Sequence, residues 1–442
     1  MIDRYVIEPL GQLWTLQNKF EMWLKVELAV LKARVEIGEM SSSEYETIKE
    51  KAAFSVERVA EIEETTHHDL MAWVNNVKEV LREAGLPEST IARFHEYITS
   101  YDAEDPALSL MLCAAGQTLI NNAREIEDVL RKLAGQHKWT KMIGRTHFVH
   151  AELITFGFKV LNWLDPLISA REALKEAVDG LRVGKISGAV GIYGDIDPRV
   201  EEIVCKELGL KPARIATQIL SRRAHAHFLN CIAEYGGLLE KIAKDIRLGQ
   251  QTERGELFEP FEHGQTGSSR MPHKRNPVIC ARVIGLTSLL RAYAHAMIEQ
   301  IATEDERDIA QSSVERIVFP DSTQLLHYMQ RMMLYVLEGL EVHPEAMMRN
   351  LELTKGAIMS GYVKSLLNRK GAGKEAYKVL QTAAFEAMEK NRLYKEVLLE
   401  KPEITSVLTP AELNECFDYR KCLEKPVNEI YQRFGIEEVK EG

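Results

Sequence analysis

Three stretches of this chain repeat apolar residues at spacings of four and three. Phe228, Ile232, Tyr235, Leu239, Ile242 and Ile246 form one such face. Val283, Leu286, Leu290, Tyr293, Met297 and Ile301 form a second, and Leu325, Tyr328, Met332, Val336 and Leu340 a third. That period matches one stripe of an α-helix and excludes a strand, whose faces alternate every two residues. Residues 108–133 read as another long helix. Pro320-Asp321 is expected to start the third patterned helix, and Pro166 to kink or interrupt a further one. Small residues at Gly236, Gly237 and Gly285 suit close helix approach, and the methionines at 328–333 suit core filling. Helices this long in mid-chain predict an all-α protein with an elongated central bundle. Strand signals are few; the glycine-rich stretch 184–194 is expected to be an irregular loop or short hairpin.

The 442 residues, 45% of them hydrophobic, are enough for a large buried core. A net charge of −10 with both signs scattered along the chain disfavours a nucleic-acid partner, which would meet a basic face. Small anionic substrates stay open, because a local arginine cluster binds them whatever the global sign. No apolar run is long enough to span a bilayer, and the first residues show no secretory signal. The six cysteines form no C-x-x-C pair, so reduced thiols in a cytoplasmic protein are expected. No metal-ligand spacing occurs, and His67-His68 alone does not make one. The 184–194 glycines lack the dinucleotide-binding spacing. Gly371-Ala372-Gly373-Lys374 lacks the flanking residues of a phosphate loop and reads as a helix terminus.

Five short stretches carry chemistry. Residues 264–277, GQTGSSRMPHKRNP, form a long loop between two helices. Its glycines and serines can present N–H groups to an anion, and Lys274 adds a point charge. A serine there acts as a base only if cations and N–H donors stabilise its alkoxide. Residues 144–152, GRTHFVHAE, contain His147, which can exchange a proton near neutrality. Thr65–Asp69 (TTHHD) and Thr99–Asp102 (TSYD) follow; the latter is a cluster of hydroxyls near a helix start, suited both to capping and to carboxylate binding. In residues 306–316, ERDIAQSSVER, Arg307, Ser312 and Arg316 suit a phosphate.

Together these stretches resemble the fumarase/aspartase superfamily and, within it, the adenylosuccinate lyases. Residues 267–276 match the superfamily loop G-S-S-x-x-P-x-K-x-N at every fixed position. The likeness runs from Arg4-Tyr5 through 183–191 (VGKISGAVG), Thr217-Gln218 and the loop to residues 404–419. It implies three helical domains, at 1–99, 100–351 and 352–442, and a cytoplasmic homotetramer whose active sites collect residues from three subunits. It also implies β-elimination of fumarate from adenylosuccinate, giving AMP, and from the succinylcarboxamide ribotide of purine synthesis. Ser268 would be the base and His147 the acid, assisted by His68. Lys274 and Asn276 would hold the carboxylate on which charge develops, and Thr99 and Ser100 the succinyl carboxylates. Arg4, Tyr5, Arg307, Ser312 and Arg316 would bind the phosphate. Gln218, with His67 and Asp69, would bind substrate nearby. No metal or organic cofactor is implied.

Four positions depart from the family pattern. Tyr97 stands for a glycine, His67 for an arginine and Ile219 for a threonine, while Ala281 replaces a glutamate thought to partner the catalytic histidine. Two other readings accompany the leading one: a related lyase or cycloisomerase for a different dicarboxylate adduct, and an inactive descendant. The first would not need the phosphate set, and the second would not need the catalytic set.

Overall fold

The computed structural model describes residues 1–436. Helices dominate. We label those that position the site: α1 (Leu16–Glu36), α2 (Val56–Thr66), α3 (Asp69–Glu83), α4 (Ser100–Gln136), α5 (Phe156–Gly180), α6 (Arg223–Gly249), α7 (Val278–Glu299) and α8 (Ala310–Glu338). The all-α expectation holds. So do the long helices read from the apolar repeats, since Phe228, Ile232, Tyr235, Leu239, Ile242 and Ile246 are all buried on α6.

One expectation about proline fails. The helix expected to begin at Pro320 begins at Ala310 and passes through it, while Pro166 lies inside α5, which continues on both sides of it. Pro320 has no N–H to donate, but hydroxyls and an amide serve the carbonyls around it. Ser322 Oγ donates to Val318 O, Thr323 Oγ to Phe319 O at 2.8 Å, and Gln324 Nε2 to Pro320 O at 3.0 Å. Val318, Phe319, Leu325 and Leu326 are buried on both sides of the proline, so packing outweighs the lost bond.

The chain forms two compact units. Unit 1 comprises residues 1–123, 169–237 and 285–331, and unit 2 comprises 124–168, 238–284 and 332–442. Unit 1 has an aromatic-rich core around Phe20, Trp23, Trp73 and Phe94, closed by Ile186, Val200 and Leu210. Helices approach closely where glycine allows it. A Cβ on Gly116 would lie 2.3 Å from Val178, and one on Gly236 would lie 2.6 Å from Leu290. Gly285 meets nothing within 4 Å, so the expected close approach is absent there. Asn122 joins α4 to α8 inside this unit, donating to Gln330 Oε1 at 3.0 Å.

Unit 2 contains a second core around Val363, Leu380, Tyr394, Val397 and Leu413. It also holds a hairpin that the sequence patterns did not single out, β1 (Lys141–Thr146) with β2 (Val149–Thr155). The 184–194 stretch is a loop, as expected, but not a hairpin: Val183-Gly184 instead pairs in parallel with Lys211-Pro212. The helix expected to end or begin near 371–374 starts at Gly373. Among the described residues no helix is long and apolar enough to cross a membrane.

Candidate active site

Unit 1 gathers the residues expected to bind anions. The helix α2 ends at His67, whose φ of 51° is the left-handed turn that stops a helix. His68 then caps α3, its Nδ1 accepting the Met71 N–H at 3.4 Å, which places its proton on Nε2. This sharp junction directs His67, His68 and Asp69 into one cavity of about 260 Å³. The start of α4 contributes Ser100, Tyr101 and Glu104, the segment entering α8 contributes Arg307, and the first turns of α8 contribute Ser312 and Arg316.

The cations of this cavity are held in fixed geometry. The Arg307 guanidinium donates to Gln218 Oε1 at 3.0 Å and to Ser312 Oγ at 2.9 Å. Arg316 donates to Asp69 Oδ2 at 2.8 Å, and Lys19 to the same oxygen at 3.2 Å. Burial pushes the Asp69 carboxyl up, but the charges of Lys19 and Arg316 outweigh it and hold the group below its usual range. Glu104 lacks such a balance: burial and the charge of Asp69 push it up to about 7. Behind Asp69, Tyr101 and Glu104 lies a second cavity of about 360 Å³, walled by Trp14, Phe20, Trp23 and Phe319.

Of the other expected residues in unit 1, Thr99 precedes α4, its N–H donating to Asp102 Oδ2 at 2.9 Å. Tyr5 packs edge-on against Tyr328, with ring centres 5.1 Å apart, and Arg4 is exposed beside it. Neither Arg4 nor Tyr5 lines the 260 Å³ cavity. Glu104 and Lys19 were not singled out in the sequence, because a charged residue on a helix reads as solvated surface; Tyr101 stood out only as one of the hydroxyls of the TSYD stretch.

Unit 2 carries the residues expected to move protons. His147 and Phe148 form the two-residue turn of the β1–β2 hairpin, with φ of 51° and 64°. A hairpin this tight needs positive φ at both central positions to match the twist of its strands. The tip is exposed, Phe148 by 81%. Its base is braced by Arg145, which forms a bidentate pair with Glu256 at 3.0 and 2.7 Å. His147 also lines a cavity of about 730 Å³ with Arg145, Glu152, Lys159, Arg254 and Glu256.

The 264–277 loop, also in unit 2, is folded on itself. Gly267 sits where a Cβ would come within 2.0 Å of the Lys274 carbonyl oxygen. Asn276 Nδ2 donates to Gly267 O at 2.7 Å, so the two ends of the loop are pinned together. Ser268 Oγ accepts the Met271 N–H at 3.2 Å and the Arg270 N–H at 3.4 Å. Arg275 anchors the base of the loop through Glu341, at 3.1 and 2.5 Å, and Gln250 holds its carbonyl at 3.0 Å. Lys274 is exposed.

Comparison with known proteins places this arrangement. The family model described as Lyase matches residues 7–289, and the model described as Adenylosuccinate lyase C-terminus matches 356–434. The adenylosuccinate lyase of Thermotoga maritima is 42% identical over 439 residues, covering 99% of this chain and all of that protein. That of Bacillus subtilis is 40% identical over 437 residues, again 99% of this chain and all of the relative.

The chain belongs to the adenylosuccinate lyase family.

It is therefore a lyase of the fumarase/aspartase superfamily. Two solved structures share its fold. A fumarate lyase from Mesorhizobium sp. BNC1 is 24% identical with a TM-score of 0.88, covering 98% of this chain and 99% of that one. The 3-carboxy-cis,cis-muconate lactonizing enzyme from Pseudomonas putida is 26% identical with a TM-score of 0.87, covering 98% of each.

The departures from the family pattern gain physical content. Tyr97 has φ of 68°, a left-handed conformation natural to glycine, so that position calls for backbone freedom rather than close approach. Its ring is 53% exposed and lies under the Arg34 guanidinium at 5.1 Å. Ile219 is buried. Ala281 is exposed on the first turns of α7. The start of that helix is instead served by Glu259, which accepts the Ile279 N–H at 3.1 Å and the Cys280 N–H at 2.5 Å.

Proposed function

We propose that this chain catalyses β-elimination of fumarate from adenylosuccinate, releasing AMP, and the matching elimination from the succinylcarboxamide ribotide. The observation that carries the reading is the convergence of His67, His68, Asp69, Ser100, Arg307, Ser312 and Arg316 on one cavity. Two arginines and several hydroxyls suit a phosphate and carboxylates together. A substrate without phosphate would not need the positive charge that Arg307 and Arg316 bring to this cavity.

The division of labour follows from the chemistry. The succinyl proton next to a carboxylate is weakly acidic, so its removal requires fixed charge aimed at the new dianion. Ser268 acts as the base; the two N–H donors to its Oγ stabilise an alkoxide. Lys274 and Asn276 hold the carboxylate that takes up the charge. Thr99 and Ser100 hold the succinyl carboxylates, and Arg307, Ser312 and Arg316 hold the phosphate, with Arg4 and Tyr5, which lie outside their cavity, completing the set from another copy of the chain. Gln218, His67 and Asp69 orient the nucleotide. His147, assisted by His68, protonates the departing nitrogen and so avoids expelling an amide anion.

The enzyme works in the cytoplasm as a homotetramer with sites shared among subunits, and its domains divide at 99/100 and 351/352. What supports shared sites is the exposure of His147, Phe148 and Val149 at the hairpin tip, a surface that a further copy would cover. Incubation of the purified protein with adenylosuccinate, following AMP and fumarate, tests the reading. Formation of both products is expected. No turnover would sink it, and turnover of a carboxymuconate instead would favour the cycloisomerase reading.

A further inference from the structure

The carboxylate of Asp102, in the first turn of α4, is saturated with donors from two separate segments of unit 1. Its Oδ1 accepts from Lys185 Nζ at 2.6 Å, from the Ser187 N–H at 3.0 Å and from the Gly188 N–H at 3.2 Å. Its Oδ2 accepts the Thr99 N–H at 2.9 Å and shares that of Gly188 at 3.2 Å. Gly188 turns its amide inward at φ of 80°, and a Cβ there would lie 3.0 Å from the Tyr193 carbonyl oxygen.

Lys185 is equally saturated. Besides Asp102, its ammonium donates to Gln218 O at 2.9 Å and to Gly188 O at 3.3 Å, which uses its three protons. Both side chains are 0% exposed. A buried ion pair costs much of its attraction in desolvation, so it is a weak source of stability. What it does supply is direction, because each donor and acceptor is fixed to one partner.

The pair adds to the bonds that already join these elements, the Leu220 N–H to Asp105 Oδ2 at 2.6 Å and Ser109 Oγ to Val183 O at 2.8 Å, and it alone reaches both Thr99 and Gln218. One end fixes the backbone of Thr99, and with it the orientation of Thr99 and Ser100. The other end fixes the backbone of Gln218, whose side chain receives Arg307. We propose that Asp102 and Lys185 are positioning residues that set Thr99-Ser100 against Gln218, so that the carboxylate-binding hydroxyls and the phosphate-binding arginine keep one spacing. This inference rests on the roles given above to Thr99, Ser100 and Gln218. Neither residue touches substrate. Thr99 depends on Asp102 directly, whereas Arg307 has other supports in Ser312 and the Tyr101 ring. Losing the pair therefore weakens carboxylate binding more than phosphate binding.

The test compares full-length wild type with Asp102→Asn and with the double variant Asp102→Asn/Lys185→Met. The single change strands a buried ammonium and risks unfolding; the double variant removes both charges and keeps the experiment readable. Competitive inhibition constants for fumarate and for AMP are measured during adenylosuccinate turnover. In the double variant the fumarate constant is expected to rise about tenfold, and the AMP constant by less than about threefold. Constants that rise together in proportion, or that both stay put, would overturn the positioning role. A wild type without adenylosuccinate turnover brings down the substrate reading alone. The inference is then decided by calorimetric binding of fumarate to the same proteins. A tenfold loss in the variant upholds it; equal affinity, or no binding by wild type, overturns it.

Discussion

The Arg307 guanidinium carbon lies 3.9 Å from the centre of the Tyr101 ring, over its face. The Tyr101 hydroxyl and the same guanidinium both reach Ser312 Oγ, at 3.0 and 2.9 Å. Arg307, Tyr101 and Ser312 thus close a ring of contacts that fixes the arginine before any ligand arrives. Ordering a free arginine on binding would cost about 1 kcal/mol, and this arrangement avoids that loss.

Replacing Arg307 with alanine should raise KM for adenylosuccinate about thirtyfold, equivalent to ~2 kcal/mol, and change kcat by only a few-fold. Lysine should not restore KM, because a point charge cannot make both fork contacts while stacking on Tyr101. Steady-state kinetics decide this. An unchanged KM in the alanine variant removes Arg307 from the phosphate site.

Ser268→Ala should lower kcat by about a thousandfold or more and leave KM within a few-fold of wild type, the pattern of a group needed only in the transition state. Fumarate release in the alanine variant at a rate near that of wild type would take the role of base away from Ser268.

At Gly267 a methyl group has nowhere to go, since a Cβ would come within 2.0 Å of the Lys274 carbonyl oxygen. Gly267→Ala must therefore open the loop and shift Ser268, Lys274 and Asn276 together. The loop is largely exposed, so little stability should follow it. The expected result is a loss of kcat/KM of about a hundredfold or more, with Tm within about 2 °C. Wild-type activity in this variant would show that the closed loop does not matter to the chemistry.

Glu104 should make stability depend on pH. Its folded pKa of about 7 lies above the free value of 4.5, raised by burial and by Asp69. Below 4.5 both states hold the proton. Between 4.5 and 7 the unfolded chain releases it first, so stability falls as pH rises through that window and stays lowered above it. Glu104→Gln removes the effect. The variant should gain on wild type by about 3 kcal/mol between pH 4.5 and pH 8 in urea unfolding. A stability difference that does not vary with pH would dismiss Glu104 as the source.

The residues themselves determined which segments are helical and which stretches hold the chemistry. The apolar repeat through Phe228, Tyr235 and Ile246 is local and survives folding unchanged, because a stripe of that period can be buried only by a helix. The loop at 267–276 was legible for a similar reason: its glycine, serines, proline, lysine and asparagine occupy fixed offsets within ten positions. Pro320 was misleading. Local rules make it a helix start, but the buried neighbours Val318, Phe319, Leu325 and Leu326 carry the helix across it.

Tertiary structure decided the rest, since the relevant partners are remote in the chain. Nothing near Asp102 marks Lys185 as its counter-ion, and a lone lysine in a sequence reads as solvated surface; its desolvation and three acceptors exist only once the chain is folded. Nor does a sequence show which departures matter. Tyr97 stands out as the loss of a small residue, yet its backbone shows that the position selects for a left-handed turn. The chemistry of this protein is written in short motifs, whereas the spacing between them depends on contacts that only the folded chain brings together.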